Sequence, residues 1–336
     1  MPIKIGLPKA LLYYEYMPLW KTFFQNLGAQ IVVSNNTNKK MFDLGVKYCI
    51  NEACLPLKIF HAHVIDLSNK VDFIFIPRLR SVKKYEYICP KFTGLPDMIK
   101  SSIPALPPII DTEINLHKGK TKLREAFFEA GGYLTNKHKK INSAFDKAIQ
   151  EHKRFIEKME KGLLANDILE NKVTKQGKGL KIAVMGHMYN LYDEYANISL
   201  MKKLIKEDVQ IITPEMIKHE IVDQEAEKLE KKLFWSFGRK LLGSALYFAK
   251  NKNIDGMIYI MSFGCGIDSF IAELCERKIR KNTDIPFCLL VLDEHSGEAG
   301  INTRIEAFLD MLRWRRQDES DISAHGKYLY LNKDFV

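Results

Sequence analysis

The sequence predicts an α/β protein with two parallel-sheet domains joined by a helical segment. Short apolar runs recur in both halves, each followed by a turn and a helical pattern, as at Val71–Pro77 and Gly256–Met261. Between the halves, Leu116–Leu164 is dominated by charge and lacks strand patterns. There Phe127, Phe128, Phe145, Phe155 and Ile156 recur at helical spacing. At 336 residues the chain also exceeds one ordinary core.

Taken in order, Lys4–Leu7 reads as a strand and Ala10–Leu27 as an aromatic-rich amphipathic helix that Gly28 ends. Ala29–Ser34 is a second strand. A helix over Phe42–Tyr48 breaks around Asn51–Pro56 and resumes over Leu57–Leu67. Val71–Pro77 is a third, apolar strand, Tyr85–Pro96 a loop, Asp97–Ser102 a helical turn and Leu106–Ile110 a fourth strand. This βαβαβ succession over residues 1–115 argues for a parallel sheet covered on both faces. Residues 116–179 read as one or two long helices and a polar hinge at Asn171–Gly179. Residues 180–336 open on a strand, Lys181–Met185, followed by Gly186-His187-Met188-Tyr189-Asn190. A helix at Ile198–Lys206, a strand at Val209–Thr213 and a charged, mostly helical Glu215–Lys232 come next, then a helix at Trp235–Asn251. The strand Gly256–Met261, helix Ile267–Arg280, strand Phe287–Leu292 and helix Ile301–Trp314 complete the pattern, and the tail after Gln317 is polar. Both halves read as Rossmann-like units.

Apolar content of 46% and charged content of 27% are those of a soluble globular protein. No run is long enough to span a bilayer, and the N-terminus enters a strand pattern without a signal peptide, so a cytoplasmic protein with no membrane contact is expected. The net charge of +10 raises nucleic acid as a partner, but the lysines, densest in Lys118–Lys161, are interleaved with acids in amphipathic segments. No RNA-binding or zinc-finger signature accompanies them, and no nucleic acid is expected. There is no Gx4GK(S/T) phosphate loop, no GxGxxG and no GxSxG.

The cysteines carry the chemistry. In a reducing compartment Cys49, Cys54, Cys89, Cys265, Cys275 and Cys288 are thiols or ligands rather than disulfides. Cys265 follows a buried strand inside Phe263-Gly264-Cys265-Gly266, where a helix starts. Pro56 places Cys54 close to a helix N-terminus, and Pro90 holds Cys89 in extended backbone after the third strand. All three can converge between two domains, and thiolates beside helix N-termini suit an iron–sulfur cluster in the interdomain cleft. The plainer alternative is packing, since scattered cysteines are small hydrophobes and no CxxC exists. Cys275, in a helix, and Cys288, mid-strand, fit packing well. Cys49 reads as packed, with a ligand role as the alternative.

After the last strand, Asp293-Glu294-His295-Ser296-Gly297-Glu298 gathers carboxylates and an imidazole in one loop. Glu294, His295 and Glu298 are candidates for an acid–base or metal site, against a plain polar loop that caps the next helix. His187, His61 and His63 read as structural or surface residues.

Together, Leu7-Pro8-Lys9-Ala10-Leu11-Leu12-Tyr13-Tyr14-Glu15-Tyr16, Glu52-Ala53-Cys54-Leu55-Pro56-Leu57-Lys58 and Tyr87-Ile88-Cys89-Pro90-Lys91 resemble a known superfamily. Phe263-Gly264-Cys265-Gly266-Ile267-Asp268, Asp293–Glu298 and Thr303-Arg304-Ile305-Glu306-Ala307-Phe308 extend the likeness over nearly the whole chain. The resemblance is to the 2-hydroxyacyl-CoA dehydratase components, closest to the dehydratase-activase-related branch and related to double-cubane cluster proteins. It implies Rossmann-like domains around an iron–sulfur cluster on Cys54, Cys89 and Cys265. It also implies an ATP-hydrolysing activase as electron donor, an acyl-CoA or other small molecule as acceptor, and a homodimer. Three matched cysteines fit one [4Fe-4S] cluster better than a double cubane [8Fe-9S]. The expected function is thus a low-potential electron-transfer or reductase component. The alternatives are a regulatory or scaffold protein with a sensing cluster, and a metal-dependent enzyme using the 293–298 loop.

Overall fold

The protein, seen as a computed structural model, is described over residues 1–119, 121–251 and 253–316, and the polar tail from Gln317 lies outside them. The first half runs β1 (Lys4–Leu7), α1 (Tyr13–Leu27), β2 (Gln30–Val33), α2 (Lys39–Tyr48) and α3 (Leu55–Leu67). It continues with β3 (Phe73–Phe75), β4 (Arg78–Ser81), α4 (Pro90–Ser102), β5 (Ile109–Ile110) and β6 (Glu113–Asn115). A helical stretch follows: α5 (Thr121–Gly132), α6 (His138–Glu160) and α7 (Ala165–Glu170). The second half runs β7 (Lys181–Met185), α8 (Met188–Tyr192), α9 (Leu200–Lys206), β8 (Gln210–Ile212) and α10 (His219–Ala226). It ends with α11 (Ser236–Asn251), β9 (Gly256–Ser262), α12 (Gly266–Asn282), β10 (Phe287–Leu292) and α13 (Glu298–Arg316).

The first sheet has the order β2-β1-β3-β5 and the second β8-β7-β9-β10, with parallel pairing throughout. Counted from its own first strand, each half therefore runs 2-1-3-4, so the two share one topology. In such a sheet the chain leaves strand 1 to one side and strand 3 to the other. A crevice opens between their carboxyl ends, here between β1 and β3 and between β7 and β9.

The α/β class is as the sequence predicts; several boundaries differ. The stretch Tyr85–Pro96, read as loop, is half helix: α4 starts at Pro90, because Phe92, Leu95 and Ile99 bury themselves at helical spacing. β4 and β6 form a small parallel pair of their own that charged residues such as Arg78 and Glu113 concealed. The fourth strand shrinks to Ile109–Ile110. The helical stretch packs rather than merely connects. α6 lies along α1, where Lys140 Nζ donates to the Leu27 carbonyl at 2.9 Å. Phe127 of α5 stands edge-on to Phe23 at 4.7 Å.

β9 is buried along its whole length. Its residues alternate as the pleat requires, with Ile258 and Ile260 in one cluster and Met257, Tyr259 and Met261 in the other. The first cluster is continuous from Ile5 and Phe24 to Leu309, so one core runs through both halves. Among the described residues no helix is long and apolar enough to cross a membrane.

Candidate functional site

Each of three cysteines is the residue on which a helix begins. Cys54 is the N-cap of α3, Cys89 of α4 and Cys265 of α12, and none of the three side chains caps its own helix. Proline in the first turn starts α3 and α4 at those points. Before Cys265 the chain turns through Gly264 at φ +76°, a left-handed conformation that glycine adopts without strain. A Cβ on Gly264 would lie 3.7 Å from Cys54 Cα, so the turn from the second half rests against the Cys54 turn of the first.

All three cysteines line one cleft, which holds about 580 Å³ of empty space counting its open mouth. It lies at the carboxyl ends of both sheets: Leu11 reaches it from beyond β1, His187 from β7 and Cys265 from β9. Aliphatic and aromatic side chains such as Leu57, Phe92, Trp235 and Phe237 make most of the wall. Lys91, His187 and Tyr189 also line it, and Lys91 Nζ stands 3.9 Å from Cys54 Sγ.

Burial pushes the Cys265 thiol up to about 12, and the Asp268 carboxylate adds to it. Burial raises Cys89 as well. Opposing this, each sulfur accepts a backbone hydrogen bond, Cys265 from Asp268 and Cys89 from Lys91. The positive ends of α3, α4 and α12 converge from three directions. The cleft is thus hostile to lone thiolates but well arranged for thiolates bound to a cationic centre. Cys49, Cys275 and Cys288 stand outside its lining. Cys49 is buried with its thiol pushed up to about 11; Cys275 is enclosed within α12; Cys288 sits on β10 near Arg304.

His187, read from sequence as structural or surface, lines the cleft. Gly186 puts it there: at φ +148°, a Cβ would come 2.6 Å from the Ile260 carbonyl oxygen, so β7 can turn away only without a side chain. His187 stacks on Tyr189 at 5.1 Å, and its Nε2 lies 3.6 Å from Asp268 Oδ1. Tyr259 donates to that same oxygen at 2.7 Å, and burial pushes the Asp268 carboxyl up. The signal was present in the chain: strand, glycine, polar residue and helix recur at 181–188 and at 256–266. His61 and His63 are buried in α3, where His63 bonds Ser34 and Thr37.

Glu294, His295 and Glu298 lie apart from the cleft lining. Glu294 Oε2 accepts from the buried Lys58 at 2.5 Å, which ties the loop after β10 to the Cys54 helix. His295 is 87% exposed, and Glu298 pairs with Lys203 at 2.9 Å. Asp293 closes the turn by accepting from the His295 N–H and the Ser296 hydroxyl.

The model of the CoA enzyme activase uncharacterised domain matches residues 4–217. That of the 2-hydroxyglutaryl-CoA dehydratase D-component matches residues 140–312. The chain belongs to the 2-hydroxyacyl-CoA dehydratase component family. No curated protein matches it. In this dehydratase-family chain Cys54 and Cys89 fall in the first match and Cys265 in the second. Among the described residues no three His, Cys, Asp or Glu side chains are placed to share a single metal ion. An iron–sulfur cluster distributes its thiolates over several irons, so they need not meet at one point. Three thiols around one cleft fit that chemistry.

Proposed function

We propose that this dehydratase-family chain holds an iron–sulfur cluster on Cys54, Cys89 and Cys265 and serves as a low-potential electron-transfer component. The carrying observation is that these cysteines, drawn from both halves, start three helices around one cleft. A [4Fe-4S] cluster suits three thiolates and leaves one iron for a molecule from the cleft. When bound, such a cluster supplies single electrons at low potential. The electrons come from an ATP-hydrolysing activase, since this sequence carries no phosphate loop or dinucleotide fingerprint of its own. The acceptor is an acyl-CoA or another small molecule. A cytoplasmic homodimer, with a first unit over 1–115, a helical segment over 116–179 and a second unit from 180, completes the reading.

The chain's own residues supply the setting. The N-termini of α3, α4 and α12, with Lys91, favour negative charge at the sulfurs. The apolar wall keeps water away from a bound molecule, and His187 and Tyr189 offer it polar atoms. Anaerobic purification followed by iron and sulfide analysis tests the reading. Serine at Cys54, Cys89 or Cys265 should bring iron to background, while Cys275→Ser and Cys288→Ser keep it. Equal loss in Cys288→Ser and Cys265→Ser would refute the ligand set.

A further inference from the structure

A second pocket adjoins the cysteine cleft, with about 350 Å³ of empty space counting its open mouth. It is lined by Glu15, Glu215 and Lys240 and shares Leu11, His187, Tyr189 and Phe237 with the cleft. His187 and Tyr189 therefore stand in the wall between the two. Lys240 Nζ lies 3.2 Å from Glu215 Oε1 and 3.6 Å from Glu15 Oε1. Glu215 lines this pocket, is buried, and its Oε2 has no protein partner among the described residues. Glu15 and Lys240 are each 25% exposed, so the cluster reaches solvent.

We propose that His187 is the proton partner of the cysteine cleft: when an electron is added there, His187 takes up one proton that enters through the second pocket. It then holds that proton within reach of a molecule in the cleft. The balance is one electron from the donor protein and one proton from solvent. Imidazole becomes imidazolium, no bond of the protein breaks, and the net charge of the site is unchanged. The inference rests on the reading of the cleft as a cluster site.

Negative charge added in a poorly solvated cleft favours a cation beside it. Histidine is the side chain whose unperturbed proton affinity suits that exchange near neutral pH. The groups that face His187 leave it as the acceptor. Asp268 on α12 lies at its Nε2, with Tyr259 of β9 beyond. The cleft presents the three cysteines and Lys91, and the second pocket presents Glu15 of α1, Glu215 and Lys240 of α11. Lys240 is already a cation in an ion pair, and burial keeps the Tyr189 and Tyr259 phenols protonated. Asp268 is fully buried, which cuts it off from solvent. With Nε2 turned to Asp268, Nδ1 is the nitrogen left for a water of the second pocket or a molecule in the cleft.

The test is an anaerobic redox titration of the iron-loaded protein between about pH 6 and pH 9. Over part of that range the wild-type midpoint potential should fall by about 59 mV per pH unit, a tenfold change in equilibrium constant. His187→Gln, at equal iron content, should give a flat profile. Glu215→Gln removes a carboxylate from the second pocket and should move the sloping range to lower pH while keeping the iron. A flat wild-type profile with full iron, an equal slope in His187→Gln, or an unmoved range in Glu215→Gln overturns the inference and leaves the cluster reading standing. A wild-type protein that holds no iron after anaerobic reconstitution overturns both. Should His187→Gln fail to retain iron, Glu215→Gln decides.

Discussion

Lys58 carries its ammonium into the protein with only 2% of its side chain exposed, and Glu294 meets it there at 2.5 Å. A buried cation that loses its partner is expensive, and the partial exposure of Glu294 softens the cost. Glu294→Gln should therefore lower stability by about 2 kcal/mol in denaturant unfolding. Lys58→Met, which removes the buried charge together with the pair, should cost less. Iron content should be unaffected by Glu294→Gln; if stability stays the same and iron is lost, Glu294 belongs to the centre after all. Residues of this kind mark the limit of the sequence. Cys54, Cys89 and Cys265 were legible because proline or glycine beside each announces a turn. Lys91 and His187 also follow a proline and a glycine, but lysine and histidine are common on surfaces and in cores, so their place in the cleft is plain only once β7, α4 and α12 meet.

At the scale of elements, the strands were legible where the apolar run was long, as in β9, and poorly so where it was two or three residues, as in β5 and β6. The stretch Tyr85–Pro96 reads as a loop in sequence, yet α4 runs from Pro90 through Pro96, held by burial of Phe92, Leu95 and Ile99. Helix α6 shows a further consequence of burial. Its His152 lies against Tyr16 of α1 at 5.5 Å, Nδ1 has no protein partner among the described residues, and burial lowers its pKa to about 4. The unfolded chain takes up this proton below about pH 6.5, whereas the folded protein resists until about pH 4. The neutral ring's contribution is complete above pH 6.5 and is lost as pH falls, by about 1.4 kcal/mol per unit and about 3 kcal/mol by pH 4. Denaturant titrations should show His152→Leu losing that much less stability than the wild type between pH 7 and pH 4. Parallel pH profiles for the two proteins would contradict the burial argument.

Across the whole molecule the two halves are stitched together beside the cleft. Tyr87 N–H donates to the Phe234 carbonyl at 2.7 Å, and Ser236 N–H donates back to the Tyr87 carbonyl at 2.9 Å. This holds the strand-like approach to Cys89 against the segment bearing Trp235. Behind it Arg239 of α11 is 2% exposed and Glu86 1%, with Nε 3.4 Å from Glu86 Oε1 and the same distance from Asp223 Oδ1. The shared hydrophobic core passes through both sheets, so neither half has an apolar surface complete without the other. Unfolding should accordingly be one cooperative event, with tryptophan fluorescence and far-ultraviolet circular dichroism superimposing. Arg239→Ala would leave Glu86 buried and weakly paired, with Lys83 3.7 Å away as its remaining cation. The expected loss is about 3 kcal/mol, with the transition still single, because the core rather than the ion pair joins the halves. Two separated transitions in the wild type would show the halves to fold independently, and a loss below about 0.5 kcal/mol in Arg239→Ala would show that the buried pair adds little to holding them.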